Sequence, residues 1–401
     1  MFNANENILS YCTNVHAGTD YATTLENLER YAVGVKERVS PSAPMGVGLW
    51  LPASAAREVL AHDRAGALAG WLAERGLDVF TMNGFPFGDF HQAVVKHDVY
   101  KPTWAETERL GYTKDLVRIL GRLLPKDAEG SISTLPIGWP GEDDDAVKQA
   151  AAKNLLELAD HLAREEASTG HCIHIDLEPE PGCILDTSDD VIRFFHDYLL
   201  SPGNASHITR YLRVCHDVCH AAVMGEDQAA VLQAYQAAGL RVGKVQLSSA
   251  VRADFALLAA DQGSEALGQL AAFQEPRYLH QTMVSRADGS GAAALYEDLP
   301  EALDAIAGES LSELSLCTHF HVPLFLDRFG LLRSTQDEVV QCLHAIALCS
   351  DCQHFEVETY AWNVLPEELR VDDLAEGIAK EMQWVIDAVD SMATETEAES
   401  R

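Results

Sequence analysis

Two stretches of this sequence place acids and imidazoles at every second position of an otherwise apolar run. Ile173, Ile175 and Leu177 alternate with His174, Asp176 and Glu178, and further on Phe355 and Val357 alternate with Glu356 and Glu358. Cys317, His319 and His321 share one parity, and so do Asn14 and His16. Successive side chains of a strand point to opposite faces, so each polar set belongs to one face. Buried carboxylates are expensive unless a cation or a matched positive side chain accompanies them. Glutamates, an aspartate and histidines at strand ends are suitable oxygen and nitrogen donors for Mn²⁺, Mg²⁺, Co²⁺ or Zn²⁺. The plainer alternative is a hydrogen-bonded polar interior that holds no metal.

The elements that must position these residues read as an α/β protein with a parallel sheet. Strand-type runs occur at Ile8–Val15, Met45–Leu51, Asp78–Met82, Ser131–Pro136, Cys172–Leu177, Tyr211–Cys215 and Arg241–Leu247. Three more follow at Arg277–Val284, Leu314–His321 and Phe355–Thr359. Helical stretches between them include Tyr21–Arg38, Ala53–Arg75, Asp145–Glu166 and Gln336–Leu348, with a last helix from Pro366 to Met392. The architecture expected is a single (β/α)₈ barrel over residues 1–392 with insertions and a C-terminal helix, followed by a disordered polar tail, 393–401. A barrel holds eight strands, so two of the ten runs are expected to be accessory, within 270–325. The polar parity then faces the barrel axis, because the other face packs on apolar helices. The longest insertion is expected to be Gly84–Gly111, after the third strand, on the face where such barrels carry their chemistry. Neither GxGxxG nor GxxxxGK[ST] is present, so phosphate recognition by those loops is unsupported.

Composition excludes several classes. The 401 residues carry 62 acidic against 29 basic side chains, a formal charge of −33, which repels nucleic acid and anionic membranes. No apolar run reaches the roughly 20 residues of a membrane span, and Met1–Ser10 lacks the pattern of a signal peptide, so a cytoplasmic protein is expected. The nine cysteines form one CxxC, Cys349 and Cys352, without a second pair, and are expected to be reduced and structural.

Longer motifs resemble a known family. Asn83-Gly84-Phe85-Pro86-Phe87-Gly88-Asp89-Phe90-His91, Val99-Tyr100-Lys101-Pro102-Thr103-Trp104, His174-Ile175-Asp176-Leu177-Glu178-Pro179-Glu180-Pro181-Gly182-Cys183, Asp217-Val218-Cys219-His220 and Glu358-Thr359-Tyr360 look like the EboE family. Its members, called metabolite traffic proteins, belong to the xylose-isomerase-like barrels, alongside sugar isomerases, ketose 3-epimerases and endonuclease IV. The ketose 3-epimerase pattern implies a metal bound by Glu178, Asp217 and Glu358, with Glu356 the weaker choice for the last. It implies a substrate-binding His220, three residues after Asp217. Where those enzymes have a metal-binding histidine this chain has Gln246, and their substrate-binding arginine falls on Arg252. The missing imidazole is expected from His319 or His321, in preference to His280.

The resemblance implies a metal-dependent isomerase or epimerase acting on a sugar, sugar phosphate or cyclitol-like polyol, with Glu178 and Glu358 as the acid/base pair. The alternative is a carrier or scaffold that binds a metabolite for export without transforming it. Endonuclease activity is disfavoured by the charge. In the long loop, Lys96, Arg109 and Trp104 are expected to meet the substrate, the loop acting as a lid whose cations stay free for a hydroxylated or anionic ligand. A small-molecule partner is expected, with no membrane insertion; homo-oligomers and partners from the same pathway are compatible with the reading.

Overall fold

The apolar parity of the runs decides the architecture, because it must face a layer of helices. A computed structural model describes residues 8–125, 128–259, 261–286, 289–290 and 292–399. Most of the segment Met1–Ser10 therefore lies outside the described residues.

Eight parallel strands close into a barrel. They are β1 (Ile8–Cys12), β2 (Met45–Trp50), β3 (Leu77–Asn83), β4 (Gly130–Thr134), β5 (Ile173–Leu177), β6 (Leu212–Asp217), β7 (Val242–Leu247) and β14 (His354–Val357). Pairing of β1 with β14, Leu9 opposite Phe355, completes the ring. Outer helices include Thr107–Leu123, Asp144–Thr169 and Gln336–Cys349. The helix expected over Ala53–Arg75 is two, Ala53–Ala61 and Ala65–Glu74, separated at Asp63, which adopts φ +48°.

The connection from β7 to the last barrel strand carries a second, six-stranded antiparallel sheet. Its members are β8 (Val251–Asp254), β9 (Thr282–Arg286), β10 (Ala294–Tyr296), β11 (Leu314–Thr318), β12 (Arg328–Phe329) and β13 (Leu332–Ser334), in the order β10-β9-β11-β8-β13-β12. The two accessory runs expected within 270–325 are β9 and β11; the four shorter strands were not foreseen. Two expectations are corrected. The longest insertion is 248–335, since the loop after β3 ends where the next helix begins, at Thr107. The last helix, Leu374–Glu399, continues through most of the tail expected to be disordered, whose alanines and glutamates favour helix. Residues 400–401 lie outside the described part.

Inside the barrel the polar parity builds layers. Nearest the strand starts, His354 Nδ1 lies 2.8 Å from Ser131 Oγ, and His174 Nδ1 meets Asp176 Oδ1 at 2.6 Å. One layer higher, Lys244 Nζ donates to Glu356 Oε1 at 2.6 Å and to Ser133 Oγ at 3.3 Å. Room for these groups comes from glycines on the facing strands. A Cβ on Gly48 would fall 1.2 Å from Glu356 Oε2, and one on Gly243 would fall 2.2 Å from Asp176 Oδ1. The metal-free alternative thus describes these lower layers.

Candidate metal centre

The C-terminal strand ends bring the acids together. Glu178 follows β5, Asp217 ends β6 and Glu358 follows β14, and one carboxylate oxygen from each lies within 4.8 Å of the others. Ladder hydrogen bonds continue past the strands to fix the first and last: Glu178 N donates to Thr134 O, and Glu358 N to Leu247 O. Glu358 Oε1 accepts from Asn14 Nδ2 at 2.7 Å and Asn83 Nδ2 at 2.9 Å. Asp217 Oδ1 accepts from the His220 backbone N–H and from Ser248 Oγ. Glu178 Oε2 and Asp217 Oδ2 are buried and without a hydrogen-bond partner among the described residues. Orphaned, converging carboxylate oxygens are what a divalent cation would satisfy, so the donor set fits a metal.

Electrostatics follow from this crowding. Burial, then the charges of Glu358 and Asp217, hold Glu178 well above the ordinary carboxylate range. Burial, with Asp217 and Glu356, pushes Glu358 up to about 8. Asp217, which burial alone would raise, is held below its usual value chiefly by His220 and His321.

A cleft opens over the acids. Phe85, Phe90, Tyr278 and Tyr360 supply apolar wall, and Glu180, His220, His319 and His321 supply polar groups. His319 and His321 come from the segment just after β11, so the inserted sheet completes the site. Three overlapping sets of donor atoms fall within 4.8 Å: Asp217, His220 and His321; Glu180, His220 and His319; and Cys219, His319 and His321. Burial lowers His319 well below the ordinary range and His321 to about 4. His280 stays out of these sets. Its Nδ1 meets His319 O and its Nε2 meets Glu275 Oε1, both at 2.9 Å, which marks it as structural.

The other expected residues divide. Lys96 lines the cleft, but its ammonium pairs with Asp298 and is not free. Arg109 is wholly buried and donates to the carbonyls of Pro102, Gly84 and Phe85, so it holds the loop in shape. Trp104 is equally buried, its Nε1 donating to Thr134 Oγ1. Arg252 lies on β8 and pairs with Glu338 at 3.1 Å. These placements correct the expectation of free cations and a Trp104 that meets the substrate. The loop's aromatics and carbonyls need internal partners, and the antiparallel strand carries Arg252 to the helix that bears Glu338. Gln246, near the end of β7, is fully buried, and both its amide atoms lack partners among the described residues. Sequence reasoning missed Asn83 and Glu180 as site residues, although both stand in the quoted motifs. It also missed Lys244, which shares the interior parity of Gln246.

No protein-family model matches the chain, and no curated protein matches it by sequence. Among solved structures, a xylose isomerase-like TIM barrel protein from Mycobacterium smegmatis in complex with magnesium is similar over 98% of this chain and 99% of its own, at 11% identity and a TM-score of 0.53. The fold is a xylose-isomerase-like (β/α)₈ barrel. A D-tagatose 3-epimerase-like protein (97% and 99% covered, 10% identity, TM-score 0.48) and an IolI protein with a zinc atom (96% and 98%, 12%, 0.47) are more distant likenesses. Among the described residues of this xylose-isomerase-like barrel, no helix is long and apolar enough to cross a membrane.

Proposed function

We propose that this protein is a metal-dependent isomerase or epimerase of a sugar, sugar phosphate or cyclitol-like polyol, of the EboE type. The observation that carries the reading is the buried triad Glu178, Asp217 and Glu358, with orphaned oxygens beneath an aromatic-walled cleft. These three residues would hold the ion, with the neutral Gln246 amide a further donor on the strand between Asp217 and Glu356. A divalent cation there supplies a Lewis acid that acidifies the C–H between a carbonyl and its neighbouring hydroxyl. Glu178 and Glu358 stand on strands separated by β6 and β7, and both hold a proton more tightly than an ordinary carboxylate. Such a pair is suited to taking a proton from one side of a carbon and returning it at the other. The aromatic wall offers the apolar faces on which a sugar or cyclitol ring rests.

The carrier reading keeps one specific observation in its favour. The imidazole of the epimerase pattern is Gln246 here, and Arg252 is engaged by Glu338. Elemental analysis of protein purified without chelator, followed by a turnover screen of Mn²⁺- and Mg²⁺-loaded protein against ketoses, their phosphates and inositols, decides between the readings. Isomerisation or epimerisation of any of them supports the enzyme. Tight binding without conversion supports the carrier, and metal-free protein whose melting temperature ignores EDTA removes the metal-dependent enzyme.

A further inference from the structure

The cleft over the acids is rich in hydrogen-bond acceptors and poor in donors. Asn14 lines it and donates Nδ2 to Glu358 Oε1 at 2.7 Å, so its other side-chain atom is a carbonyl oxygen. That Oδ1 is buried without a partner among the described residues. The imidazoles spend their Nδ1 protons on the protein. His220 Nδ1 faces the Pro179 carbonyl at 2.9 Å, His321 Nδ1 the Glu358 carbonyl at 2.7 Å and His319 Nδ1 the Gln281 Oε1 at 2.7 Å. A carbonyl oxygen only accepts, so none of these N–H groups is left for a ligand. Tyr278 Oη is committed to Phe90 O. Lys96 is the only lysine or arginine that lines the cleft among the described residues, and it pairs with Asp298.

Glu180 is the acid that this leaves without a counter-charge. The turn after β5 sets it in the wall. Glu180 N donates to Leu185 O and Cys183 N to Glu180 O, both at 3.1 Å, and Gly182 takes φ +79°, which glycine adopts without strain. Glu180 Oε1 accepts from Tyr100 Oη at 2.8 Å and from Gln281 Nε2 at 3.1 Å, whereas Oε2 has only the weak donor Cys183 Sγ at 4.0 Å. Its ion-pair-range neighbour, His319 Nδ1 at 3.7 Å, gives its proton to Gln281. A divalent ion in the triad is already faced by three other carboxylates. A buried carboxylate in this state is expensive until a cation reaches it.

We infer that the cleft takes an amino-substituted polyol, an amino sugar or aminocyclitol, whose ammonium rests on Glu180 while a hydroxyl reaches Asn14 Oδ1. The inference rests on the cleft being the substrate site proposed above, and it narrows the sugars, phosphates and cyclitols of that reading to their amines. An ammonium carries three donors and no acceptor, which complements a wall of acceptors. The ring of Tyr100, bonded to Glu180 and in edge contact with Phe85 at 6.0 Å, adds an aromatic face that attracts a cation. A phosphate is the opposite ligand, an anionic acceptor set against acids, and the chain's charge of −33 repels it while drawing cations in. Gln281 directly precedes β9, so the inserted sheet helps orient the carboxylate that selects the ligand.

The test is calorimetric titration of Mn²⁺-loaded, full-length protein with two matched trios: fructosamine, fructose and fructose phosphate, and inosamine, inositol and inositol phosphate. In at least one trio the amine should bind about tenfold tighter than the neutral member, as one charge-assisted hydrogen bond provides, and the phosphate should bind weakest. Glu180→Gln should erase the preference for the amine while metal content stays at the wild-type value. A neutral or phosphorylated member that binds as tightly as the amine in both trios overturns the inference, and so does failure of both amines to bind. A preference that survives in Glu180→Gln overturns the role of Glu180. If that variant fails to fold by circular dichroism, the wild-type ranking decides alone. Loaded protein that converts a neutral polyol without preferring the amine overturns this inference and leaves the isomerase standing. Protein that holds no metal yet prefers the amine through Glu180 upholds the inference and removes the metal-dependent enzyme.

Discussion

Lys244 and Glu356 meet at 2.6 Å in the barrel interior, both side chains fully excluded from solvent. Burial alone would lower the lysine's pKa, but the facing carboxylate raises it, so the ammonium stays charged. Removing one member strands the other charge. Lys244→Met or Glu356→Gln should each destabilise by about 3–5 kcal/mol, and the double variant should lose far less than the sum. Urea unfolding of the three variants checks this; additive losses would show that the two groups act independently.

Glu356 occupies space that a β2 side chain would otherwise fill. Gly48→Ala places a methyl 1.2 Å from Glu356 Oε2, and Glu356 is fully buried and tied to Lys244 and Ser10. The expected cost is at least about 1–3 kcal/mol in wild type and clearly smaller in a Glu356→Ala background. Equal costs in both backgrounds would locate the strain elsewhere.

Glu381 gives the fold a pH dependence away from the metal centre. It lies in the last helix, wholly buried, accepting from Thr359 Oγ1, the Leu324 N–H and Trp362 Nε1, and burial pushes it up to about 7. The unfolded chain ionises this group near its ordinary value, before the folded protein does. Its contribution is therefore full below about pH 4.5 and is lost as pH rises through about 7, a swing of about 3 kcal/mol. Wild-type stability measured against Glu381→Gln should fall by that order between pH 4.5 and 8. Parallel profiles would mean that Glu381 ionises normally.

Much of this was legible from alternation alone. Strands β5 and β14 announced an interior acidic face because apolar and polar residues strictly alternate there, and the structure brings Glu178 and Glu358 into one cluster with Asp217. Lys244 carried the same signal, sharing parity with Val242 and Gln246, but a lone lysine among apolar residues reads as an exposed edge until the barrel closes around it. Gly48 marks the same layer by lacking a side chain, a signal that has meaning only once Glu356 is known to face it. Arg252 was misplaced for a topological reason. The epimerase spacing puts the arginine six residues after the Gln246 position, and here those residues turn into β8, which carries Arg252 to Glu338.

Arg252 is accordingly expected to support the fold and not the centre. Arg252→Ala should lower stability by about 1–2 kcal/mol through loss of the partly buried Glu338 pair. Its metal content should match wild type. A loss of bound metal or of polyol binding at unchanged stability would return Arg252 to the site.

The loop after β3 meets the inserted sheet's flank across the cleft. The N–H groups of Val95 and Lys96 donate to Arg277 O at 2.7 and 2.9 Å, Tyr278 Oη donates to Phe90 O at 3.1 Å, and Lys96 pairs with Asp298. Asp298 also accepts from the N–H groups of His280 and Leu299, so it is the fixed side of the clasp and Lys96 the movable one. The ammonium is about one-third exposed, and a pair of that kind contributes about 1 kcal/mol at most. Lys96→Ala should then speed amide exchange of Val95 and Lys96 position amides by up to about fivefold while the barrel strands stay protected. Loading wild type with Mn²⁺ and a polyol should slow the same amides, because a filled cleft draws the loop down and excludes water. Equal protection with and without bound polyol would leave the loop as fixed packing, its lysine a structural tie to Asp298.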